Sequence, residues 1–345
     1  MNAIAKVGVK KTSPEHEHVL EDVRIVMEMA DWKQYISRNA AVSLKVNLGW
    51  DKLIPGAISA PWVVEGVIRT LKDYAGHVYL VESDQVVVNV ENVFRLSGLD
   101  RVCRDYGVEW VNMSKGRFVR MQDERRLVLK DISIPEILTK TEVITLPLMK
   151  MHNKSVITGA IKNQWGCLPT LRHNFHLVLS EALVDINVMV RSRFAVMDGT
   201  IGLEGNGPKS GIPKEMGLIL ASGDLVAIDS VAAYLMGCDP VTINHLQFCS
   251  KHGLGCCDLS NITVVGANIE ALRTPFRHAQ HNIVSWGELL LRRSALRWLV
   301  FQTPLFHLFC WLTRRYYDYW DFTVGRHLRQ RIFDSSGYAQ QWQEK

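Results

Sequence analysis

Apolar and polar residues follow one another along the chain in segments typical of alternating strands and helices. Apolar positions at helical spacing predict helices at residues 14–33, 61–75 and 225–236. Shorter apolar runs between them predict buried strands at residues 41–46, 78–81, 143–148, 194–197, 217–221 and 262–265. The alternation predicts an α/β fold with a mostly parallel central sheet flanked by helices.

Four of the predicted strands end in polar residues or are followed directly by them. In open α/β sheets, ligands bind in the crevice beyond the carboxyl ends of the strands. We therefore expect these polar residues to form one ligand site. They are Lys45 and Asn47, then Lys150 and His152, then Asp198, and finally Asp224 and Asp229.

Residues 150–166 are rich in hydrogen-bond donors that suit an anionic group. Lys150, His152, the hydroxyl of Thr158, Lys162 and Asn163 all lie in this segment. Apolar residues surround them, so we expect partial burial. This favours a binding site over a solvated basic loop, which is the alternative interpretation.

The segment 198–208 is rich in glycine, which indicates positive φ angles or a close approach of the backbone to a ligand. Gly205 and Gly207 are the predicted ligand contacts. No dinucleotide-binding or Walker A motif is present. Asp198 and Glu204 are candidates for an acid–base pair or a metal site, and a structural turn is the alternative. Asp229 lies among apolar residues, so we expect it to pair with a site lysine or to bind a metal.

The seven cysteines include no C-x-x-C pair, which leaves no iron–sulfur or zinc motif of the usual spacing. Their odd number, and the lack of an apolar signal-peptide run at the start of the chain, predict a cytoplasmic protein. Adjacent Cys256 and Cys257 are interpreted either as a redox pair or as two buried small side chains.

Apolar residues make up 47% of the chain and charged residues 22%, so a packed core is expected.

Residues 285–345 have a different composition, which predicts domains at 1–284 and 285–345, the second an aromatic, basic helical tail. This tail holds nine Lys or Arg against five Asp or Glu, or +4 of the net +5, and 14 of the 30 aromatic residues. Its apolar run at 296–312 is short for a membrane span and contains Pro304. We expect residues 285–322 to contact a membrane surface. The alternative is that they pack on the core or contact a second copy of the chain. No nucleic-acid motif appears, so no nucleic-acid partner is expected.

Six short motifs follow one another in order between residues 41 and 266. They are LKVNL at 44–48, LPLMKMH at 146–152, TGAIKN at 158–163, VMDG at 196–199, EGNGP at 204–208 and SGD at 222–224. This succession resembles the domain of unknown function 362 (DUF362) family. The resemblance implies a prokaryotic α/β protein but no particular reaction. Many members carry an added ferredoxin module with iron–sulfur clusters, and this chain lacks those cysteines.

The leading hypothesis is an enzyme that acts on a small carboxylate or phosphate metabolite by proton transfer, as in lyases and isomerases, or by a redox step. The alternatives are a non-catalytic metabolite-binding or membrane-docked protein at the inner membrane face, and a redox protein without the ferredoxin module. The cofactor stays open, with a divalent metal as one option. The predicted catalytic groups are His152, Lys150, Lys162 and Asp198. The predicted substrate contacts are Lys45, Asn47, Thr158, Asn163, Gly205 and Gly207. The predicted metal ligands are Glu204 and Asp229.

Overall fold

Most of the strands belong to one ten-stranded sheet. The computed structural model describes residues 5–280, 283–295, 297–301 and 303–342. The strands in these residues are β1 (Ala5–Lys11), β2 (Ala41–Lys45), β3 (His77–Glu82), β4 (Glu109–Asn112), β5 (Phe118–Gln122), β6 (Asp131–Pro135), β7 (Glu142–Thr145), β8 (Leu148–His152), β9 (Val156–Ile157), β10 (Phe194–Glu204), β11 (Ile212–Ser222) and β12 (Ile262–Gly266).

Hydrogen bonds order the main sheet as β12-β1-β11-β10-β7-β2-β3-β4, with β8 beside β10 and β9 beside β8. The pairs from β10 through β7, β2 and β3 to β4 are all parallel, and β1 is parallel to β12. Only β11, between β1 and β10, and the short β9 pair antiparallel within this sheet. β5 and β6 form a separate hairpin. The prediction of a mostly parallel sheet is therefore confirmed.

Helices flank the sheet, and apolar side chains between the layers form two clusters. Val23 and Ile68 belong to one cluster, and Leu183 and Ile228 to the other. The helices are α1 (His16–Met29), α2 (Pro61–Leu71), α3 (Val90–Leu96), α4 (Leu99–Tyr106), α5 (Ile137–Lys140), α6 (Gly159–Asn163), α7 (Leu179–Val190), α8 (Leu225–Leu235), α9 (Asn244–Lys251), α10 (Ile269–Leu272), α11 (Ile283–Arg293), α12 (Arg297–Phe301), α13 (Leu305–Trp320), α14 (Arg326–Ser335) and α15 (Gly337–Gln340). Short 3-10 helices lie at Trp32–Gln34, Met113–Lys115, Gln164–Cys167, Thr170–Val178, Pro240–Thr242 and Leu259–Asn261, and a π-helical turn at Asp321–Gly325.

The single strand predicted at residues 143–148 is in fact two strands, which changes the position of the basic segment. β7 ends before Leu146-Pro147 and β8 begins after them, because proline has no N–H to donate to a ladder. The Pro147 carbonyl instead accepts the N–H of Asp198 at 2.9 Å. Lys150 and His152 consequently lie on a buried strand, where a loop was expected.

The strand expected to end at Asp198 continues to Glu204, so much of the glycine-rich segment is β10. A Cβ atom on Gly199 would lie 2.5 Å from the Met149 sulfur, and one on Gly202 would lie 2.9 Å from the Met149 carbonyl oxygen. The close approach that these two glycines permit is therefore to the neighbouring strand β8. The expectation that the glycine-rich segment approaches a ligand stays a prediction.

The end of the tail packs into the core of the α/β domain. Ile332, Phe333 and Tyr338 are buried in the same apolar cluster as side chains of α1 and α2. The centre of the Trp342 ring lies 4.6 Å from the centre of the Trp62 ring. The Tyr338 hydroxyl donates to the Thr12 carbonyl at 2.7 Å. The predicted domain boundary at residue 284 stays a prediction, but the last two helices depend on the first part of the chain.

The apolar part of the tail is broken into several helices. Leu296 and Gln302, at the two ends of α12, lie outside the described residues. Among the helices that the structure does describe, none has both the length and the apolar character that a bilayer crossing requires.

Tyr338→Phe should lower the free energy of unfolding by about 1–3 kcal/mol, because the Thr12 carbonyl loses its buried donor. Urea unfolding followed by circular dichroism measures this loss. Tyr319→Phe is the matched control, since Tyr319 is 69% exposed, and it should change the free energy by less than about 0.5 kcal/mol. Equal effects of the two substitutions would contradict a stabilising role for the hydrogen bond between Tyr338 and Thr12.

Candidate functional site

A cavity of about 230 Å³ lies at the carboxyl ends of β2 and β3, against β8 and α6, with helices of the tail as its remaining wall. Most of the residues predicted from the sequence meet there. Its polar and charged lining consists of Lys45, Asn47, Glu82, Gln85, Lys150, His152, Asn153, Lys154, Thr158, Lys162, Asn163, Arg172, His176, Lys209, Glu288 and Arg292.

Two asparagines fix one lysine at the base of the cavity. The Asn47 side-chain amide donates to Asn163 Oδ1 at 3.0 Å, and the Asn163 amide donates to the Lys45 carbonyl at 3.1 Å. Lys150 Nζ in turn donates to Asn47 Oδ1 at 2.9 Å and to the Ala57 carbonyl at 3.0 Å. Both hydrogen-bond partners of the Lys150 ammonium in the described part of the chain are thus neutral oxygens.

Lys45 forms a buried ion pair within the protein. Its Nζ lies 2.8 Å from Glu82 Oε2, and both side chains are almost completely buried. The same carboxylate accepts the Leu48 N–H at 3.2 Å. A Cβ atom on Gly166 would lie 2.8 Å from both Lys45 Nζ and Glu82 Oε1, so a larger residue there would displace the pair. Glu82 already neutralises the charge of Lys45.

Asp229 fixes helix α6, which carries Lys162. Its carboxylate accepts the N–H groups of Ala160 at 2.5 Å and Ile161 at 2.9 Å, at the helix N-terminus. Burial raises the pKa of Asp229 to about 7. Both oxygens are used by backbone amides, so the expected ion pair with a site lysine is not formed. The approach is close because Gly159, with φ +59°, has no Cβ to collide with the carboxylate.

Among the residues that the structure describes, the cavity lining holds seven Lys or Arg side chains and two carboxylates. Glu82 pairs with Lys45, and Glu288 pairs with Lys154 and Arg292. The other four cations form no salt bridge within the part of the chain that the structure describes. These four, hereafter the unpaired cations, are Lys150, Lys162, Arg172 and Lys209.

Burial without a carboxylate partner makes the charged forms of these lysines costly. Burial lowers the pKa of Lys150 to about 7, and repulsion from the charge of nearby Lys162 adds to the effect. Burial, with the charges of Lys154 and Arg172, lowers the pKa of Lys162 to about 7, and burial lowers that of Lys209 to about 8. Near neutral pH these amines are therefore poised between the neutral and charged states.

His152 and Thr158 add hydrogen-bonding groups beside these lysines. His152 Nδ1 accepts the Lys154 N–H at 2.9 Å, so the neutral ring carries its proton on Nε2. Burial, with the charge of Lys162, keeps the pKa of His152 well below its usual value. The Thr158 hydroxyl is buried and has no hydrogen-bond partner in the described structure.

Glu288 joins the tail to the cavity. Its carboxylate lies 2.6 Å from Lys154 Nζ, 3.0 Å from His176 Nδ1 and 2.9 Å from Arg292 Nε. Burial alone would raise the pKa of Glu288, but the His176 hydrogen bond and the Lys154 charge outweigh it and lower the pKa. Burial lowers the pKa of His176 to about 4. This cluster fastens α11 beside the site.

A family model described as "Domain of unknown function (DUF362)" matches residues 42–234, which is more than half of the chain. The chain belongs to the DUF362 family. A thylakoid-associated protein of Synechocystis sp. is 26% identical over 258 residues, which cover 71% of this chain and 78% of that protein. No solved structure matches the chain.

Several predicted site residues of this DUF362 protein lie away from the cavity lining. Asp198 accepts the N–H and hydroxyl of Thr200, and burial raises its pKa to about 6. Glu204 contacts Lys214 and Arg277, both at 3.3 Å. Glu204 and Asp229 are thus engaged separately. Among the described residues, no three His, Cys, Asp or Glu side chains are grouped so that they could hold a metal ion. The predicted metal site does not fit this arrangement.

The two glycines predicted to bind substrate, Gly205 and Gly207, are not part of the cavity lining, and their role as substrate contacts stays a prediction. A Cβ atom on Gly207 would lie 2.0 Å from the Met151 carbonyl oxygen, and Gly205, with φ +72°, turns the chain after β10. The residues that follow them, Pro208 and Lys209, do line the cavity. The segment therefore contributes a lysine side chain to the cavity lining.

Asp224 also has a structural role in the DUF362 protein. It caps α8 by accepting the Ala227 N–H at 2.8 Å, and it accepts the Cys256 N–H at 3.0 Å. Cys256 and the adjacent Cys257 are half-buried free thiols outside the cavity lining. Their role as a redox pair stays a prediction.

Sequence reasoning missed Glu82, Arg172, Lys209 and Glu288 as lining residues. Glu82 directly follows the strand predicted at residues 78–81, so the rule that selected Lys45 and Asn47 would also have selected it. Lys209 directly follows the glycine-rich segment. Arg172 and Glu288 have no comparable local signal, because their position depends on how distant segments pack.

Gly159→Ala should destabilise the protein by about 1–3 kcal/mol more than Gly98→Ala does, because its new Cβ would lie 2.3 Å from Asp229 Oδ1. Both glycines have positive φ, but a Cβ on Gly98 would meet nothing within 4 Å. The difference between the two variants therefore isolates the contact with Asp229. Thermal unfolding measures it, and equal losses would show that Asp229 does not fix α6.

Proposed function

We propose that this DUF362 protein is an enzyme that binds a small carboxylate or phosphate in the cavity and transfers a proton on it. The observation that supports the proposal is the group of four unpaired cations in one cavity. Burying a charge without a partner costs several kcal/mol. A bound anion would remove this cost, which gives the ligand a direct source of binding free energy.

Lys150 and Lys162 are the groups that we assign to the proton transfer. With pKa values of about 7, one amine can hold a proton beside the bound anion while the other is neutral and accepts one. His152, protonated on Nε2 in its neutral form, acts as a hydrogen-bond donor in this proposal. The Thr158 hydroxyl supplies a further donor. Lys45 acts indirectly, through its ion pair with Glu82.

Affinity for sulfate or acetate should fall by about tenfold or more between pH 6 and pH 9, because a charge-assisted hydrogen bond contributes roughly 1.5–3 kcal/mol. The sign follows from the lowered pKa values. Lys150 and Lys162 are charged below about pH 7 and become neutral above it. Binding above pH 7 should also take up protons. Isothermal titration calorimetry in buffers of different ionisation enthalpy measures both effects.

Lys150→Met and Lys162→Met should each weaken anion binding at pH 6 by about tenfold or more. Lys72→Met, which removes an exposed lysine at the end of α2, is the control and should have no effect. Affinity that is the same in all three variants, or a flat pH profile, would rule out the proposed anion site.

Membrane-surface docking by the tail is a second candidate function. The outer face of α13 exposes Leu308, Trp311 and Leu312, each by more than 50%, and Trp286 of α11 is 58% exposed. Exposed Arg315 follows them on α13. Apolar and aromatic side chains bordered by arginine suit the interface of an anionic membrane. The similarity to a thylakoid-associated protein supports this candidate.

Trp311→Ser combined with Leu312→Ser should reduce binding to vesicles that contain anionic lipid by about tenfold or more, since each buried large apolar side chain contributes roughly 1.5–3 kcal/mol. Flotation of the full chain measures this, because a truncated chain would lose the core residues of α14 and α15. Leu96→Ser combined with Leu127→Ser is the control, as both leucines are exposed elsewhere. A wild-type chain that fails to float would eliminate this candidate.

A further inference from the structure

The tail forms a wall of the cavity that differs in character from the rest. Its members are apolar or aromatic, and all of them are half-buried. This apolar wall consists of Phe301 from α12 and of Phe306, Phe309, Cys310 and Tyr317 from α13. The loop after β3 adds Val86 and Val87.

One face of α13 forms most of this wall. Phe306, Phe309, Cys310, Thr313 and Tyr317 line the cavity at intervals of three and four residues. The Phe301 ring centre lies 6.0 Å from that of Phe306 and 6.2 Å from that of Phe309. The three phenylalanines thus form one continuous aromatic group on the cavity side of the tail.

Cations lie where the apolar wall meets the basic part of the cavity. The Arg292 guanidinium is 4.0 Å from the Phe301 ring centre. Lys209 Nζ is 5.8 Å from the Tyr317 ring centre and 5.0 Å from that of Trp50. The basic residues and the aromatic residues therefore border a single space.

Neither an inorganic anion nor a wholly apolar molecule matches this lining. The first would leave the phenylalanine side chains facing water, and the second would leave Lys150 and Lys162 without a counter-charge. A molecule with an acidic group at one end and an apolar body at the other satisfies both parts. The buried Thr158 hydroxyl, which lacks a partner in the described structure, adds a hydrogen-bonding position for the acidic end.

We propose that the ligand of this cavity is an amphipathic acid. Its carboxylate or phosphate contacts Lys150, Lys162 and Thr158, and its hydrocarbon or aromatic body lies against Phe306 and Phe309. This inference rests on the proposed anion site and specifies its ligand class. In this arrangement the tail selects the ligand, and the DUF362 domain supplies the charge that holds it.

Two series of ligands test the inference by titration calorimetry at pH 6.5 on the full chain. One series is acetate, pentanoate and nonanoate, and the other is methyl, butyl and octyl phosphate. Affinity in at least one series should rise by about fourfold for each methylene that reaches the apolar wall, as expected for burial of a CH₂ group. The acidic end is the same throughout a series, so the rise reports the wall alone.

Phe306→Ala combined with Phe309→Ala should remove most of this rise. Leu308→Ala combined with Leu312→Ala is the matched control, since both leucines lie on the exposed face of the same helix. Phe306→Leu combined with Phe309→Leu keeps the wall apolar and should retain the rise to within a few-fold. This variant covers the case in which the alanine variant does not fold.

The outcomes separate the two proposals. Wild-type protein that binds the short and long members of both series equally overturns the amphipathic ligand and leaves the anion site standing. A rise that persists in the alanine variant overturns the role of the tail. If no member of either series binds, both proposals fail. If Lys150→Met retains the binding of the long ligands, the acidic end does not lie where we place it.

Discussion

Burial of positive charge is the constraint on which the arrangement of this protein depends. Strands β2 and β8 place Lys45 and Lys150 in buried positions of the cavity lining, and the protein supplies carboxylates for only some of the cations there. Glu82 and Glu288 satisfy three cations. The remaining four have no carboxylate partner, so their charged forms are costly, and the pKa values of Lys150 and Lys162 are lowered to near neutrality.

Much of the surrounding structure holds these cations in place. Asn47 and Asn163 position Lys150, and Asp229 fixes the short helix that carries Lys162. Asp229 is itself a buried acid whose pKa is raised, so its backbone hydrogen bonds are what make its position tolerable. Asp229 therefore forms no ion pair with Lys150 or Lys162. This leaves the excess of positive charge in the cavity.

The tail completes the site as well as covering it. Glu288 binds Lys154 and His176, and α13 adds aromatic side chains on the opposite wall. The other face of the same helix exposes Leu308, Trp311 and Leu312. One helix thus borders the cavity on one side and solvent on the other. A contact made by the exposed face would act on the same element that lines the ligand space.

The sequence by itself determined the α/β class, the order of most strands and helices, and the convergence of Lys45, Asn47, Lys150, His152, Thr158, Lys162 and Asn163, because apolar periodicity and strand-end position are local signals. Tertiary structure alone decided the roles of the acids. In the sequence, Asp198, Glu204 and Asp229 were candidates for catalysis or metal binding. In the structure their carboxylates accept hydrogen bonds from backbone amides or a hydroxyl, or pair with basic side chains. The apolar wall likewise depends on how the tail packs against strands far away in sequence, which no local pattern encodes.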